Sequence, residues 1–132
     1  MRARGSFVTC LCLMACGCGK QQKSTTELLG DLKGADEGGR LVAVRLLPQR
    51  KEDAALVIPA LIDALKDKKN DIRLSAAIGL GQLGDQAKDA IPALQAAQHD
   101  HDARVREAAG KALVRIDPAI TPKVVPNPSR RP

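Results

Sequence analysis

The stretch IPALIDALKDKKNDIRLSAAIGLGQLG, Ile58–Gly84, carries two signals that point to different folds. Its last six residues, GLGQLG from Gly79 to Gly84, fit G-x-G-x-x-G, the phosphate-cradling turn of dinucleotide-binding proteins. That turn needs a strand before its first glycine and a helix opening at its third. Here a helical period already runs through Ile72, Ala76, Leu80 and Leu83, and Gly79 and Gly81 fall inside it. Upstream, Ile58, Leu61, Ile62 and Leu65 follow the i, i+3, i+4, i+7 spacing of a second apolar helical face. The stretch therefore predicts two helices joined by a turn at Lys66–Lys69, with Gly84 past the end as a left-handed cap. Interior glycines cost a helix about 1 kcal/mol each, and the expected return is close helix packing.

The stretch also repeats. Ile58-Pro59-Ala60-Leu61 recurs as Ile91-Pro92-Ala93-Leu94, and Ile72-Arg73 as Val105-Arg106, both at an offset of 33. Ala76 matches Ala109, and Leu80 matches Leu113. One period earlier stand Leu28, Leu32, Arg40, Ala43 and Leu47. Three copies fit, 25–51, 52–84 and 85–117, the first degenerate because Thr25-Thr26 replaces Ile-Pro. Gly79-Leu80-Gly81 becomes Ala112-Leu113-Val114 in the third copy and Leu46-Leu47-Pro48 in the first, replacements no phosphate loop would tolerate. Pro59 and Pro92 are placed in first helical turns, where a missing N–H costs little. No single pair can bury its apolar face alone, so stacking must supply the core.

These residues carry a resemblance. P-A-L-x-x-A-L-x-D followed by I-R-x-x-A-A-x-x-L-G-x-L-G-D, Pro59 to Asp85, resembles HEAT repeats of the short type seen in phycobilisome-lyase-like proteins. The resemblance is fullest in the second copy. It implies an all-α fold, a right-handed α-solenoid of about three antiparallel helix pairs, with the second helices lining a concave surface. It also implies an Asp–Arg ladder bracing neighbouring turns, here Asp67, Arg73, Asp100 and Arg106.

Composition narrows the function. There is no Trp, no Tyr and one Phe, Phe7, so base- and sugar-stacking surfaces have no material. The chain carries +6, but residues 27–117 hold 14 basic and 15 acidic side chains. The basicity lies at the two ends, which is not the one-sided basic face of a nucleic-acid binder, although it suits ends resting near an anionic lipid surface. A DNA-repair glycosylase built on such repeats would want both the aromatics and a basic groove. No nucleophile stands beside a base, and Ser75 is the one serine of the repeat body. His99-Asp100-His101-Asp102 offers metal-ligand residue types, yet it matches the solvated turn Lys66–Lys69, and a surface turn is the reading taken.

The N-terminus reads as a targeting segment. Arg2 and Arg4 precede an apolar run, SFVTCLCLMA, that is too short to span a bilayer. All four cysteines lie between positions 10 and 18, which is not a disulfide framework. Leu13-Met14-Ala15-Cys16 resembles a bacterial lipobox, with Met14 a less usual residue, and the resemblance implies lipidation of Cys16. A plain secretory signal with incidental cysteines is the alternative. The divisions expected are a signal peptide at 1–15, a tether at 16–26, the repeat domain at 27–117 and a basic tail at 118–132. That tail has five prolines in fifteen residues, none at PxxP spacing.

On the second helices, one i+4 row is polar or variable where its neighbour stays apolar. Leu41, Arg45 and Gln49 align with Leu74, Ile78 and Gln82, then with Glu107, Lys111 and Arg115. Such a row suits a partner surface and equally a solvated face; Leu74 and Ile78, adjacent aliphatics on it, favour the partner surface, with packing against a neighbouring repeat as the alternative. The function expected is a non-enzymatic, exported, lipid-anchored binding module of the cell envelope, facing the periplasm or exterior. An unknown protein would be its partner, with no cofactor, metal, nucleotide or nucleic acid. The alternative, implied by the resemblance, is an accessory subunit related to bilin lyases, which attach chromophores.

Overall fold

The computed structural model of the chain describes residues 23–34 and 36–120. Residues 1–22, which include Cys16 and the expected signal peptide, and residues 121–132 of the expected tail lie outside the described residues. Six α-helices follow in order: α1 (Thr25–Lys33), α2 (Glu37–Leu46), α3 (Ala54–Ala64), α4 (Asn70–Leu83), α5 (Ile91–Ala97) and α6 (Ala103–Ile116). Short 3-10 segments at Leu47–Gln49, Lys51–Asp53 and Gly84–Ala90 link the pairs. Among the described residues there is no strand, so nothing feeds into Gly79 as a nucleotide turn would require.

Each 33-residue copy forms one hairpin, α1–α2, α3–α4 and α5–α6, and α4 packs against both α2 and α6. The shared seam is periodic. Leu28, Leu61 and Leu94 are fully buried, as are Ala43, Ala76 and Ala109 at the next repeated position. Leu47, Leu80 and Leu113 close the same layer. The degenerate first copy thus contributes to the core like the others. Its helix α1 starts two residues before the boundary expected at 27, because Ser24 and Glu27 form a reciprocal capping box. Asp36 and Asp102 cap α2 and α6 through the N–H groups of Gly39 and Arg104.

Pro59 is not in a first turn. Helix α3 begins at Ala54, because Ala54–Val57 continue the helix upstream and Val57 is fully buried. Pro59 therefore lies inside α3, and the hydrogen bond it removes belongs to Ala55, on an exposed side. Pro92 does lie in the first turn of α5. Gly84 has φ 57 and ψ −132, so its φ is positive, as a terminal glycine permits, but its ψ is not that of a left-handed cap. The chain passes directly into the 3-10 segment.

The interior glycines set the joints. A Cβ on Gly79 would stand 2.5 Å from Pro48 Cγ, and one on Gly81 would stand 3.0 Å from Ala112 Cα. The two contacts repeat at an offset of 33: position 48 meets 79, and position 81 meets 112.

Candidate functional site

The arginine ladder fixes how the hairpins face each other. Arg40 Nε donates to Asp67 Oδ2 at 3.0 Å, and Arg73 donates through Nε and Nη2 to both oxygens of Asp100, at 2.8 and 2.9 Å. Each arginine also donates backwards to a backbone carbonyl six residues before it: Gly34 for Arg40, Asp67 for Arg73, Asp100 for Arg106. The rung thus takes the carboxylate of the next repeat and the carbonyl of its own. The i−6 pairing of Asp67 with Arg73 and of Asp100 with Arg106 is a main-chain contact. Arg40, absent from the expected ladder, is its first member, and its alignment with Arg73 in the 33-residue register is the signal that finds it.

The rungs are largely shielded from water, and the hydrogen bonds from Arg73 hold the Asp100 carboxyl below the usual carboxylate range. The backbone N–H of Asp102 donates to the same carboxylate at 2.8 Å. Asp102 is itself held well below its ordinary value, first by Arg104 and then by Asn70, whose Nδ2 lies 2.6 Å from its Oδ2. Both carboxylates of the His99–Asp102 turn are therefore engaged in bracing. Among the described residues no group of His, Cys, Asp and Glu is placed to hold a metal ion. No described helix is long and apolar enough to cross a membrane.

The expected partner row lies on the face carried by α2, α4 and α6. Arg45, Gln49, Gln82, Glu107, Lys111 and Arg115 are exposed, Ile78 is 44% exposed, and Leu41 and Leu74 are half-buried. Leu74 also packs against the core, so it is only partly available. Glu107 and Lys111 pair with each other at 2.7 Å, and the lysine holds the Glu107 carboxyl down. The row is therefore split. On α6, Glu107 and Lys111 neutralise each other and leave Arg115 as an exposed charge, whereas between α2 and α4 the row opens into a cleft of about 360 Å3. Leu74 and Ile78 form part of one wall, Val44 and Pro48 the other, and Arg45 and Gln82 stand beside them. Ser75 also lines the cleft, but its hydroxyl donates to Asp71 O at 2.8 Å. Val44 is fully buried and Pro48 is buried, so what the cleft presents to solvent is chiefly Ile78 and part of Leu74 beside Arg45 and Gln82. Other exposed aliphatics were not foreseen: Val42, Leu46, Leu56 and Val114.

Residues 25–114 match the family model described as HEAT repeats. Phycocyanobilin lyase subunit alpha of Microchaete diplosiphon is 36% identical over 94 residues, covering 66% of this chain and 31% of that protein. A chain in the structure of the complex of CpcE and CpcF of phycocyanin lyase from Nostoc sp. PCC7120 superposes with a TM-score of 0.66 at 28% identity, over 74% of this chain and 39% of that one. The chain thus spans about a third of the length of the curated relative. The expectation of a non-enzymatic module is overturned by this comparison, because the protein it resembles in sequence is named a lyase subunit. The expectation rested on the absence of a nucleophile beside a base, which does not by itself exclude activity. With a periodic seam, a repeating rung and a family match over residues 25–114, the chain belongs to the HEAT-repeat family.

Proposed function

We propose that this chain is a HEAT subunit of a chromophore-attaching lyase, working with a second protein held on the α2–α4 face. The observation that carries the reading is the 36% identity to a phycocyanobilin lyase subunit across the repeats that build this face. The α2–α4 cleft supports it, with aliphatic walls beside Arg45 and Gln82, neither of which has a side-chain partner among the described residues. The superposed chain comes from a two-protein complex, which supports a protein partner for this one.

The test is reconstitution: this chain, the second subunit of a phycocyanin lyase, phycocyanobilin and apo-phycocyanin, read by chromophore that stays on the protein through denaturation. The full chain is expected to raise the attached yield above that of the second subunit alone. The Leu74→Asp, Ile78→Asp double variant is expected to lose about tenfold or more, since each buried charge at an apolar contact costs upwards of about 1 kcal/mol. Yields indifferent to the presence of this chain would discard the lyase reading.

As the alternative to the lyase reading, which it would exclude, we propose that the chain is tethered through Cys16 in the cell envelope. Leu13-Met14-Ala15-Cys16 closing a short apolar run is the support. The N-terminal peptide from a membrane fraction is expected to begin at Cys16 and carry added acyl mass. A peptide that begins at Met1 would end this reading.

A further inference from the structure

We propose that the last turns of α4 are a docking strip for an extended segment of a partner protein, one that sets an aliphatic side chain on Ile78 and carboxylates on Arg45 and Arg115 to either side. The strip adjoins the α2–α4 cleft, so its use rests on the reading of that face as a protein-binding one.

The two joints of α4 place these residues. Gly79 faces α2, its Cβ position 2.5 Å from Pro48, and Gly81 faces α6, its Cβ position 3.0 Å from Ala112 Cα. Ile78 and Gln82 belong to the same turns and are exposed. Arg45 shares the cleft with both of them on the α2 side. From α6, the stem of Arg115 leans over the same stretch, with its Cδ 3.7 Å from the Cβ position of Gly81. Two arginines thus bracket Ile78 and Gln82.

The repeat register shows what is different about this strip. Leu74, Ile78 and Gln82 match Glu107, Lys111 and Arg115 one period later. On α6 the first two form an ion pair, which water solvates readily. On α4 the middle position holds an isoleucine that is 44% exposed at the mouth of an open cleft.

The occupant follows from charge and spacing. Each second helix carries one carboxylate, Glu37, Asp71 or Glu107, and each is already paired, with Lys69, Arg104 and Lys111. Arg45 and Arg115 are exposed and meet no carboxylate among the described residues. The face therefore offers cations and no free anion, and the complementary charge comes from what binds. Packed helices lie about 8–10 Å apart, so α2 to α6 across α4 is roughly 16–20 Å between axes, and less between arginines that lean inward. In an extended segment alternate side chains share one face, and residues four apart are about 13 Å from each other. Asp or Glu at the first and fifth positions, with Leu or Ile at the third, fits the strip.

The probe is the acetylated, amidated peptide Glu-Ser-Leu-Ser-Glu, titrated into the isotope-labelled full-length chain and followed by NMR. Saturable shifts centred on Ile78 and Gln82 are expected. The affinity is expected to exceed that of Lys-Ser-Leu-Ser-Lys and of Glu-Ser-Ser-Ser-Glu by about tenfold or more. Ile78→Lys gives α4 the residue that α6 already carries at this position, and it is expected to weaken binding about tenfold. Arg45→Gln, a change at an exposed position, is expected to do the same and keeps the test valid should Ile78→Lys unfold the chain. Lys88→Gln, an exposed cation in the segment after α4, is expected to change nothing. Equal affinity for the three peptides, shifts centred elsewhere, or an equal loss from Lys88→Gln overturns the proposal. Methyl contacts between Ile78 and residues 121–132 in the free chain would make the tail the occupant. Self-association abolished by Arg45→Gln would make it a second copy, and either result also overturns the proposal. No chromophore enters these measurements. Specific binding without chromophore attachment would discard the lyase reading alone, and attachment that needs this chain without peptide binding would discard the docking strip alone.

Discussion

Leucine in place of Gly79 or Gly81 is expected to lower the unfolding free energy by about 3 kcal/mol or more, while leucine at Gly30 leaves it unchanged or raises it by up to about 1 kcal/mol. All three glycines lie inside helices, so the gain in helix propensity is similar at each. What differs is the neighbour. A Cβ at Gly79 would meet the Pro48 ring at 2.5 Å, and one at Gly81 would meet the backbone of α6 at 3.0 Å. Neither a ring nor a helix backbone can rotate away, so the joint must open and carry its hairpin with it. At Gly30 nothing stands within 4 Å. Urea unfolding followed by circular dichroism checks the contrast. Equal losses at the three sites would mean that the two buried glycines do not set the spacing.

The second expected result concerns the central rung. Arg73→Ala should cost about 2–3 kcal/mol, because it removes two charge-assisted bonds to Asp100 and one to the Asp67 carbonyl. The side chains of the pair are only 15% and 11% exposed, so water replaces little of what is lost. Arg106→Ala loses only bonds to carbonyls and should cost about 1 kcal/mol or less. The exposed pair of Arg104 with Asp71 should contribute almost nothing. Acid separates the rung from simple packing. Arg73 holds the folded-state pKa of Asp100 below that of the unfolded chain, about 3.9. That contribution is complete above the unfolded value and lost as pH falls through the folded one. The gap between wild type and Arg73→Ala should therefore be widest near about pH 7 and narrow below about pH 4. Unfolding midpoints at both ends of that range check it, and a gap independent of pH would assign the loss to packing alone.

Much of the fold was written in the spacing of apolar residues. Leu28, Leu61 and Leu94 recur at one interval, and an interval fixes which side of each helix turns inward whatever the details of packing. The same spacing exposed the GLGQLG fingerprint as helical. The start of α3 was not legible, because Ile-Pro is compatible with a first turn and with an interior proline on a solvated side. In the candidate site, the i+4 row of Arg45 and Ile78 could be read as exposed, but its division into an open cleft and a Glu107–Lys111 pair could not. The non-enzymatic expectation rested on finding no nucleophile beside a base, and it was the similarity to a named lyase subunit, not any residue pattern, that overturned it.

The sequence by itself determined that this chain is a stack of three helical hairpins around an aliphatic seam, because a helical apolar period recurs in each copy and each copy has the same face to bury against the next. Only the tertiary structure decided the offset between neighbouring hairpins. That offset made Arg73 a partner of the Asp100 side chain and of the Asp67 carbonyl. The physical reason is that a helix pattern specifies faces, whereas pairs across a joint depend on how far one hairpin slides past the next. Close contacts at Gly79 and Gly81 set that distance.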